Sequence, residues 1–341
     1  MEEAKEVLRN LVRFNTIKDK ENANIIAYLE KLLTKYGFIV ESKGKYLVLK
    51  NKEKQSIGFV GHTDTVEYID GWKYPTFDIT VENGKIYGLG VCDMKASIAA
   101  IICAISQINF DKLSNGIKLI FTYDEEIGFS GIKDVIKNVK EYPELMIVGE
   151  PTNNDMIVGS KGLIEYRISF KGVKCHSSNP EKGDNAIIKM VNFINELNSF
   201  YEENIKPIKN ENFEIDYTTM NVGTISGGSA INSVPANAEF LVDFRTIDSK
   251  SEEIIMKYVE NMANKYNAKI EIINKLSSFF NDSKYGNKTC NFITEAGFLP
   301  NEKIVLGPGP ITAHEVDEYI EEESFIKLIN QYKTMIIEKC R

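Results

Sequence analysis

Three histidines occur among the 341 residues, and each stands beside turn-forming residues rather than inside an amphipathic stripe. The first, His62, follows the apolar run 57–60 and precedes Asp64 by two residues. Such a run predicts a buried strand, and in an open α/β sheet ligands bind beyond the carboxyl ends of the strands. A metal-bound histidine usually donates its second ring N–H to a carboxylate, which suits His62 as a ligand and Asp64 as its orienting partner. Taken alone, residues 61–66 are better explained by an ordinary polar turn.

Three more apolar runs end in groups that can bind metals. They are 117–122, followed by Glu125 and Glu126; 145–148, followed by Glu150; and 303–306, followed by a Gly-Pro-Gly-Pro turn and His314. Asp93 opens a stretch of helical character, where an aspartate is most often an N-cap but can also bridge two ions. Histidines combined with carboxylates suit one or two borderline metals, most often zinc. The sequence therefore predicts a metal site at the strand ends.

The composition excludes several kinds of partner. The formal net charge of −8 argues against a nucleic acid or an anionic membrane surface, since both select basic patches. No apolar run approaches the ~18 residues that a membrane-spanning helix needs, and residues 1–5 lack the basic-then-apolar plan of a signal peptide. Five cysteines without paired spacing suit a reducing compartment. These features predict a cytoplasmic protein that binds neither nucleic acid nor membrane.

The arrangement of apolar runs predicts two domains. In the outer parts of the chain, short apolar runs alternate with helical periodicity, which indicates an α/β domain with a central mixed sheet and helices on both faces. The middle of the chain instead holds a strand of period two, a long helix, strands at about 219–225 and 238–246, a helix and a last strand. This β-α-β-β-α-β order is the split βαβ plan. We predict a metal-binding catalytic domain from 1–162 and 276–341, with 163–275 inserted into it.

Five motifs match one known family in order and spacing. They are Gly-His-Thr-Asp-Thr-Val at 61–66, Gly-Leu-Gly and Asp-Met-Lys within 88–95, Asp-Glu-Glu-Ile-Gly at 124–128, Gly-Glu-Pro-Thr at 149–152 and the late His314. The chain resembles, over nearly its whole length, the acetylornithine deacetylase / succinyl-diaminopimelate desuccinylase family of co-catalytic zinc metallohydrolases, whose relatives include aminoacylase and glutamate carboxypeptidase. The resemblance implies a zinc exopeptidase-like fold, with the inserted ferredoxin-like domain as lid and dimerisation domain of a homodimer.

The resemblance also implies a role for each residue of the metal site. One zinc ion would be held by His62 and Glu150 and the other by Glu126 and His314, with Asp93 bridging, Asp64 orienting His62, and Glu125 acting as general base and then acid. Cobalt or manganese could take the place of zinc. Apart from the resemblance, a carboxylate that adjoins a ligand without being one is well placed to take a proton from a metal-activated water and pass it to the leaving amine.

Substrate contacts are implied in the same way. His176 would donate to the developing oxyanion across a dimer interface, although its own surroundings describe a histidine in a polar loop. Asn232 and Arg245 resemble the family's binders of the substrate carboxylate, and arginine suits a bidentate carboxylate contact. A surface ion pair is the alternative for Arg245. Gly307 and Gly309 would offer backbone N–H groups to the substrate.

Within the family, several segments favour an acetylornithine deacetylase, namely 65–66, 88–90, 294–297 and 306–309 before His314. The implied reaction converts N-acetylornithine, a small N-acyl amino acid, to ornithine and acetate in arginine biosynthesis. Departures from the family pattern leave other substrates open; they are Ala96, Tyr123 and Pro310. The alternatives are succinyl-diaminopimelate desuccinylation, a lysine-pathway deacylation, a dipeptidase or exopeptidase activity and, from another class, a non-catalytic binding protein stabilised by metal.

Overall fold

A computed structural model describes residues 2–18, 20–281 and 284–341. The α-helices are α1 (Glu2–Val12), α2 (Asn22–Thr34), α3 (Ala96–Ser106), α4 (Glu125–Gly128), α5 (Ser130–Asn138), α6 (Ala186–Phe200), α7 (Ser249–Tyr266) and α8 (Glu322–Cys340). The β-strands are β1 (Ile39–Lys43), β2 (Tyr46–Lys50), β3 (Gln55–His62), β4 (Thr80–Glu82), β5 (Lys85–Tyr87), β6 (Gly116–Thr122), β7 (Leu145–Val148), β8 (Ile157–Ser160), β9 (Gly162–Lys171), β10 (Thr219–Gly227), β11 (Asn237–Thr246), β12 (Ala268–Leu276), β13 (Phe279–Phe280), β14 (Lys288–Cys290), β15 (Glu302–Val305) and β16 (Tyr319–Glu321). In the described part of the chain, no helix is long and apolar enough to cross a bilayer.

The described residues divide into two compact units. The change of unit falls after Val158 and again after Phe280, rather than at the predicted positions 162 and 275. The short segment 289–293 joins the second unit because β14 pairs with β8 and Thr289 Oγ1 donates to a backbone carbonyl at 2.6 Å, contacts that local periodicity does not reveal. The first unit lies within 1–158, 281–288 and 294–341, and the second within 159–280 and 289–293.

The first unit is built on a mixed sheet. Its strands lie in the order β1-β2-β6-β3-β7-β15. Strands β6, β3, β7 and β15 are parallel, and β2 and β1 extend the sheet in antiparallel orientation. The inner strands β3, β6 and β7 are buried almost throughout, which explains why their sequences are continuous apolar runs. The predicted mixed α/β sheet is confirmed.

The parallel strands bring four segments to one edge of this sheet. Strand β3 ends at His62, and β6 ends three residues before Glu125, the first residue of α4. Glu150 follows β7 by two residues, and a longer loop leads from β15 to His314. Neighbouring parallel strands end at the same edge of a sheet, so these four segments converge although they are far apart in sequence.

The second unit is a four-stranded antiparallel sheet with two helices. Its chain order is β9-α6-β10-β11-α7-β12, whereas its order in the sheet is β10-β11-β9-β12. From Ile164 to Phe170, buried apolar residues alternate with partly exposed polar ones. The buried face packs on Phe193 of α6 and Val259 of α7. The predicted β-α-β-β-α-β domain is confirmed.

Replacing Ile57 in β3 by alanine should lower the free energy of unfolding by about 2–5 kcal/mol, because the side chain is fully buried and its removal leaves a cavity. Urea denaturation followed by circular dichroism measures the change. The matched control is Ile39→Ala in edge strand β1, where the side chain is 56% exposed and the cost should stay within about 0.5 kcal/mol. Equal costs at the two positions would contradict the central place given to β3.

Candidate metal centre

Asp93 lies in a turn just before α3 and faces two histidines. In the segment Val91–Lys95, Asp93 and Met94 leave the helical conformation, and the peptide bond between them is cis. The Asp93 oxygen Oδ1 lies 2.9 Å from Nε2 of His62, and the oxygen Oδ2 lies 3.5 Å from Nε2 of His314. The residue is therefore not the N-cap of α3; its two carboxylate oxygens face two different imidazoles.

Two groups of possible ligands share Asp93. In the first group, His62, Asp93 and Glu150 offer one atom each, and these atoms lie within 4.8 Å of one another. In the second group, Asp93, Glu126 and His314 do the same. Within the groups, His62 Nε2 is 3.6 Å from Oε1 of Glu150, and His314 Nε2 is 3.2 Å from Oε1 of Glu126. The structure thus brings the five predicted ligands together in two overlapping groups.

Asp64 contacts both groups. Its backbone carbonyl lies 3.0 Å from Nδ1 of His62, and its carboxylate oxygen Oδ1 lies 3.5 Å from the same nitrogen. Its other oxygen, Oδ2, accepts the backbone N–H of Glu126 at 3.1 Å. Asp64 therefore fixes the ring of His62 through its backbone carbonyl, with its carboxylate close by, and its side chain also holds the start of α4.

Glu125 adjoins the cluster without belonging to either group that contains Asp93. It forms a further set with His62 and Glu126, again within 4.8 Å. Asp124 precedes it with a left-handed backbone, φ 71°, so that the chain turns sharply between β6 and α4. Burial raises the pKa of Glu125 well above its usual value, and the charges of Asp93 and Glu126 add to this effect while His62 opposes it.

Opposite charges at close range shift the other pKa values of the cluster. Burial works against the charged form of His62, but hydrogen bonds with Asp64 and Asp93 outweigh it and hold the pKa well above the usual value. For Asp93, burial is likewise outweighed by hydrogen bonds from His314 and His62, which hold its pKa far below the usual value. The pKa of His314 rises to about 10 through hydrogen bonds with Asp93 and Glu126.

The residues of the cluster fit a bound cation. A carbonyl only accepts hydrogen bonds, so Nδ1 of His62 carries a proton toward the Asp64 carbonyl, and Nε2 faces the Asp93 carboxylate. With a neutral ring, two lone pairs would then oppose each other at 2.9 Å unless a cation lay between them. The oxygen Oε1 of Glu150 is buried without a hydrogen-bond partner among the described residues. Imidazoles with carboxylates are the donors preferred by zinc and similar metals.

Among the described residues, no lysine or arginine forms an ion pair with the candidate ligands. Burial raises the pKa of Glu150 well above its usual value, with a further contribution from Asp93. The ion pairs made by the candidate ligands within the described chain all involve His62 or His314. Lys95 is buried nearby, but its Nζ donates to a backbone carbonyl at 3.0 Å, and burial lowers its pKa to about 7. With a metal cation bound, both histidines would be neutral ligands, and the cation would compensate the carboxylate charges in their place.

Two buried acids beside the cluster had no predicted role. Glu318 accepts the backbone N–H of Asp93 at 3.1 Å; in the sequence it is marked only by its position four residues after His314. Glu295 is fully buried and accepts a hydrogen bond from Thr122 Oγ1 at 2.5 Å. Burial raises the pKa of Glu295 to about 7, against the effects of His62 and Thr122. An apolar environment for an acid is invisible to motif spacing.

The residues predicted to contact substrate from the inserted domain lie in the second unit. His176 is exposed, and its Nδ1 is 2.8 Å from Oγ of Ser178. Asn232 is also exposed. Arg245 donates from Nε to Oδ1 of Asp243 at 3.1 Å, so the ion pair weighed as its alternative role is present. The roles of these three residues toward a substrate stay predictions.

Gly307 and Gly309 differ from their predicted role. The N–H of Gly307 donates to Oγ1 of Thr152 at 3.1 Å, and the N–H of Gly309 donates to Oγ of Ser324 at 2.8 Å. A Cβ atom on Gly307 would lie 2.2 Å from the backbone oxygen of Glu150. Both N–H groups are therefore engaged within the chain rather than turned to a substrate. Glycine is required at 307 because the chain after β15 passes against the backbone that carries Glu150.

Known proteins share both the sequence and the fold. Residues 158–271 match the family model of the M20 peptidase dimerisation domain. Acetylornithine deacetylase from Buchnera aphidicola subsp. Acyrthosiphon pisum (strain Tuc7) is 32% identical, over 98% of this chain and 97% of its own. Aminopeptidase PepT from Bacillus cereus has a TM-score of 0.79 at 20% identity, over 100% of this chain and 99% of its own. The YXEP protein of Bacillus subtilis, described as a dinuclear metal binding peptidase from the M20 family, has a TM-score of 0.71 at 14% identity, over 98% of both chains.

The structural likenesses establish the fold of the M20 peptidases. Because a relative is 32% identical over almost the full length of both chains, the chain belongs to the acetylornithine deacetylase family of M20 hydrolases. The family resemblance drawn from the five motifs is thereby confirmed.

The free energy of unfolding of Glu295→Gln should increase relative to that of wild type as the pH rises from 4.5 to about 7. The raised pKa means that the folded state binds the proton more tightly than the unfolded state does. The stability that protonated Glu295 contributes to the wild type is therefore complete below the pKa of this residue in the unfolded chain. It is lost as the pH rises through the pKa of the residue in the folded chain. The full difference is at most about 3 kcal/mol, from ~1.36 kcal/mol per pKa unit.

Urea denaturation at a series of pH values, in the presence of a chelator, measures this difference between Glu295→Gln and wild type. Glu53→Gln is the control, since its side chain is 89% exposed and its ion pair with Lys50 lies at the surface, where such pairs contribute little to stability. A difference between Glu295→Gln and wild type that did not vary with pH would show that Glu295 titrates alike in the folded and unfolded chain.

Proposed function

We propose that this chain is a two-metal amidohydrolase that removes the acetyl group from N-acetylornithine and releases ornithine and acetate for arginine biosynthesis. The observation that carries the proposal is Asp93, whose two oxygens face His62 and His314. A carboxylate shared in this way would suit a two-metal site. Relatives named acetylornithine deacetylase, 31–32% identical over nearly the whole chain, support the choice of substrate.

The two ligand groups supply one ion site each. In the proposed arrangement His62 and Glu150 hold one ion, Glu126 and His314 hold the other, and Asp93 is shared. Zinc is the cation most often held by such donors, and cobalt or manganese suit them as well. When bound, the two ions polarise the amide carbonyl and lower the pKa of the attacking water.

Asp64 prepares His62 for this task. The Asp64 carbonyl accepts a hydrogen bond from Nδ1–H of His62. In the neutral ring the lone pair is therefore on Nε2, the nitrogen that faces Asp93 and Glu150. A fixed tautomer and ring orientation increase the basicity of a metal-binding histidine. The contact between Asp64 and the backbone of Glu126 also places the second ligand group relative to the first.

Glu125 moves the proton in the proposed reaction. It lies beside Glu126 and His62 but outside the groups that share Asp93, so its carboxylate is free to act on the reacting molecules. It takes a proton from the attacking water as the water adds to the amide carbonyl, and it gives that proton to the amine as the C–N bond breaks. Burial raises the proton affinity of Glu125, which brings it closer to the range in which one group can serve as base and then as acid.

The second unit supports a homodimer in the same proposal. Its sequence matches the M20 peptidase dimerisation domain. Strand β10 is an edge strand of its sheet and exposes Ile225, which is 60% exposed; such edges are usually covered. From this unit, His176 would stabilise the oxyanion, and Asn232 and Arg245 would bind the substrate carboxylate. We place the enzyme in the cytoplasm, since its five cysteines show no paired spacing, as expected in a reducing compartment.

Zinc-reconstituted protein should hydrolyse N-acetylornithine, and a chelator should abolish the activity because the proposed ions activate the water. The measurement is release of ornithine, with succinyl-diaminopimelate and a dipeptide assayed beside it at equal concentration. The dipeptide tests the alternative that the chain is a peptidase. The solved structures of M20 peptidases resemble this chain in fold only.

The three substrates separate the remaining alternatives. Faster turnover of the succinyl substrate or of the dipeptide would keep the site but replace the proposed substrate. If the metal-bound protein hydrolysed none of the three substrates, the result would favour a non-catalytic binding protein.

Glu125→Gln should lower kcat on N-acetylornithine by about 10²–10⁴-fold, the usual contribution of a general base, while the protein keeps its bound metal. Metal content measured by plasma mass spectrometry separates this role from ligation. The neighbouring variant Glu126→Gln is the matched comparison, because it removes a proposed ligand and should lose about one metal per chain. Loss of metal from Glu125→Gln as well would assign Glu125 to the ligands instead.

A further inference from the structure

The carboxylate of Glu318 accepts three backbone N–H groups of the turn that presents Asp93. Its oxygen Oε2 accepts the N–H of Gly90 at 2.9 Å. Its oxygen Oε1 accepts the N–H of Cys92 at 2.6 Å and the N–H of Asp93 at 3.1 Å. Glu318 is only 2% exposed, so these contacts are shielded from water. Both oxygens of the carboxylate thus accept hydrogen bonds from this one stretch of backbone.

Within the turn, Val91 N–H donates to the carbonyl of Gly88 and Lys95 N–H to that of Gly90. The N–H groups of Gly90, Cys92 and Asp93 donate to Glu318 instead. Gly90 has φ 77°, and Asp93 has the extended values φ −124° and ψ 94°, so no helical ladder takes up the N–H groups. A buried backbone N–H without a partner destabilises the folded chain. Glu318 supplies a partner to three such groups at once. The orientation of the Asp93 side chain therefore depends on the position of the Glu318 carboxylate.

Glu318 belongs to the same loop as His314. This loop is closed on itself by Thr312, whose Oγ1 donates to the carbonyl of Tyr319 at 2.6 Å and accepts its N–H at 2.9 Å. The carbonyl of Glu318 also accepts the N–H of Gly88 at 3.1 Å. One short loop thus carries a candidate ligand and at the same time fixes the turn that carries another.

We propose that Glu318 is a positioning residue of the metal centre, which sets the distance between Asp93 and His314 by binding the backbone of residues 90–93. The inference rests on the proposed two-metal function. Glu318 touches neither substrate nor metal in this role. It acts through Asp93, whose Oδ2 must stay near Nε2 of His314, 3.5 Å away, for one carboxylate to serve both ions.

Glutamine cannot replace this carboxylate in full. Two oxygens accept three N–H groups, whereas a glutamine has one oxygen and an NH₂ group that only donates. Whichever way the amide turns, an NH₂ group faces Gly90 N–H, or it faces the N–H groups of Cys92 and Asp93. Glu318→Gln therefore keeps the size of the side chain but releases part of the turn.

Asp317, the residue just before Glu318, offers a matched control. It holds a different backbone segment through a single oxygen, because Oδ1 accepts the N–H of Lys73 at 2.8 Å and that of Tyr74 at 3.3 Å. An asparagine keeps an oxygen in this place. Asp317→Asn makes the same acid-to-amide change in the same loop but leaves its backbone contacts intact.

The test compares wild type, Glu318→Gln and Asp317→Asn after reconstitution with cobalt. Calorimetric titration gives the stoichiometry and affinity for Co²⁺, the visible absorption spectrum reports the ligand geometry around cobalt, and kcat and KM are measured on N-acetylornithine. We expect Glu318→Gln to bind cobalt about 10–100-fold more weakly, as is typical when a residue behind a metal ligand is lost. Its spectrum should change, and kcat should fall with KM nearly constant. Asp317→Asn should match wild type in each respect.

Wild-type affinity and spectrum in Glu318→Gln would overturn the proposal, as would equal losses in Asp317→Asn. If Glu318→Gln does not fold, Glu318→Asp takes its place, since it keeps two accepting oxygens on a shorter side chain; it should fold and show a smaller loss of cobalt affinity in the same direction, and wild-type affinity would overturn the proposal. The proposed function is tested separately, and it is overturned if wild type binds two cobalt ions but hydrolyses no amide. In that case the cobalt affinity and the spectrum still decide the role of Glu318. A wild type that binds no cobalt would overturn both.

Discussion

The metal centre depends on one carboxylate being held between two imidazoles. Asp93 presents Oδ1 to His62 at 2.9 Å and Oδ2 to His314 at 3.5 Å, and these two histidines come from distant parts of the chain. Strand β3 fixes the first histidine and the loop after β15 fixes the second. The parallel arrangement of β6, β3, β7 and β15 is therefore the constraint from which the site follows. It brings the ends of separate segments to one edge of the sheet.

This arrangement concentrates acids where burial disfavours their charge. Burial raises the pKa of both Glu125 and Glu150, while hydrogen bonds from the histidines keep the pKa of Asp93 low. Uncompensated buried charge is costly, so the surrounding core must hold these groups together. The strands that lead to the site are buried almost throughout and provide that rigidity. A divalent cation then meets a site whose ligands need little rearrangement.

Sequence alone predicts most of the sheet and the five clustered residues because both signals are local: an apolar run marks each inner strand, and a ligand-type residue follows it. What escapes prediction depends on contacts between distant segments. Glu318 binds backbone groups 225–228 positions away. Gly307 is required by the backbone oxygen of Glu150, and its N–H donates to Thr152. The segment 289–293 changes unit through pairing. None of these leaves a periodic trace.

The contact between Glu318 and residues 90–93 is made to main-chain N–H groups, and every amino acid except proline carries one. The side chains at 91 and 92 can therefore change among relatives without any matching change at 318. A comparison that looks for pairs of positions changing together would miss this contact, although it joins two loops of the site directly. Exclusion of proline at 90, 92 and 93 is the evolutionary signature that such a contact leaves instead.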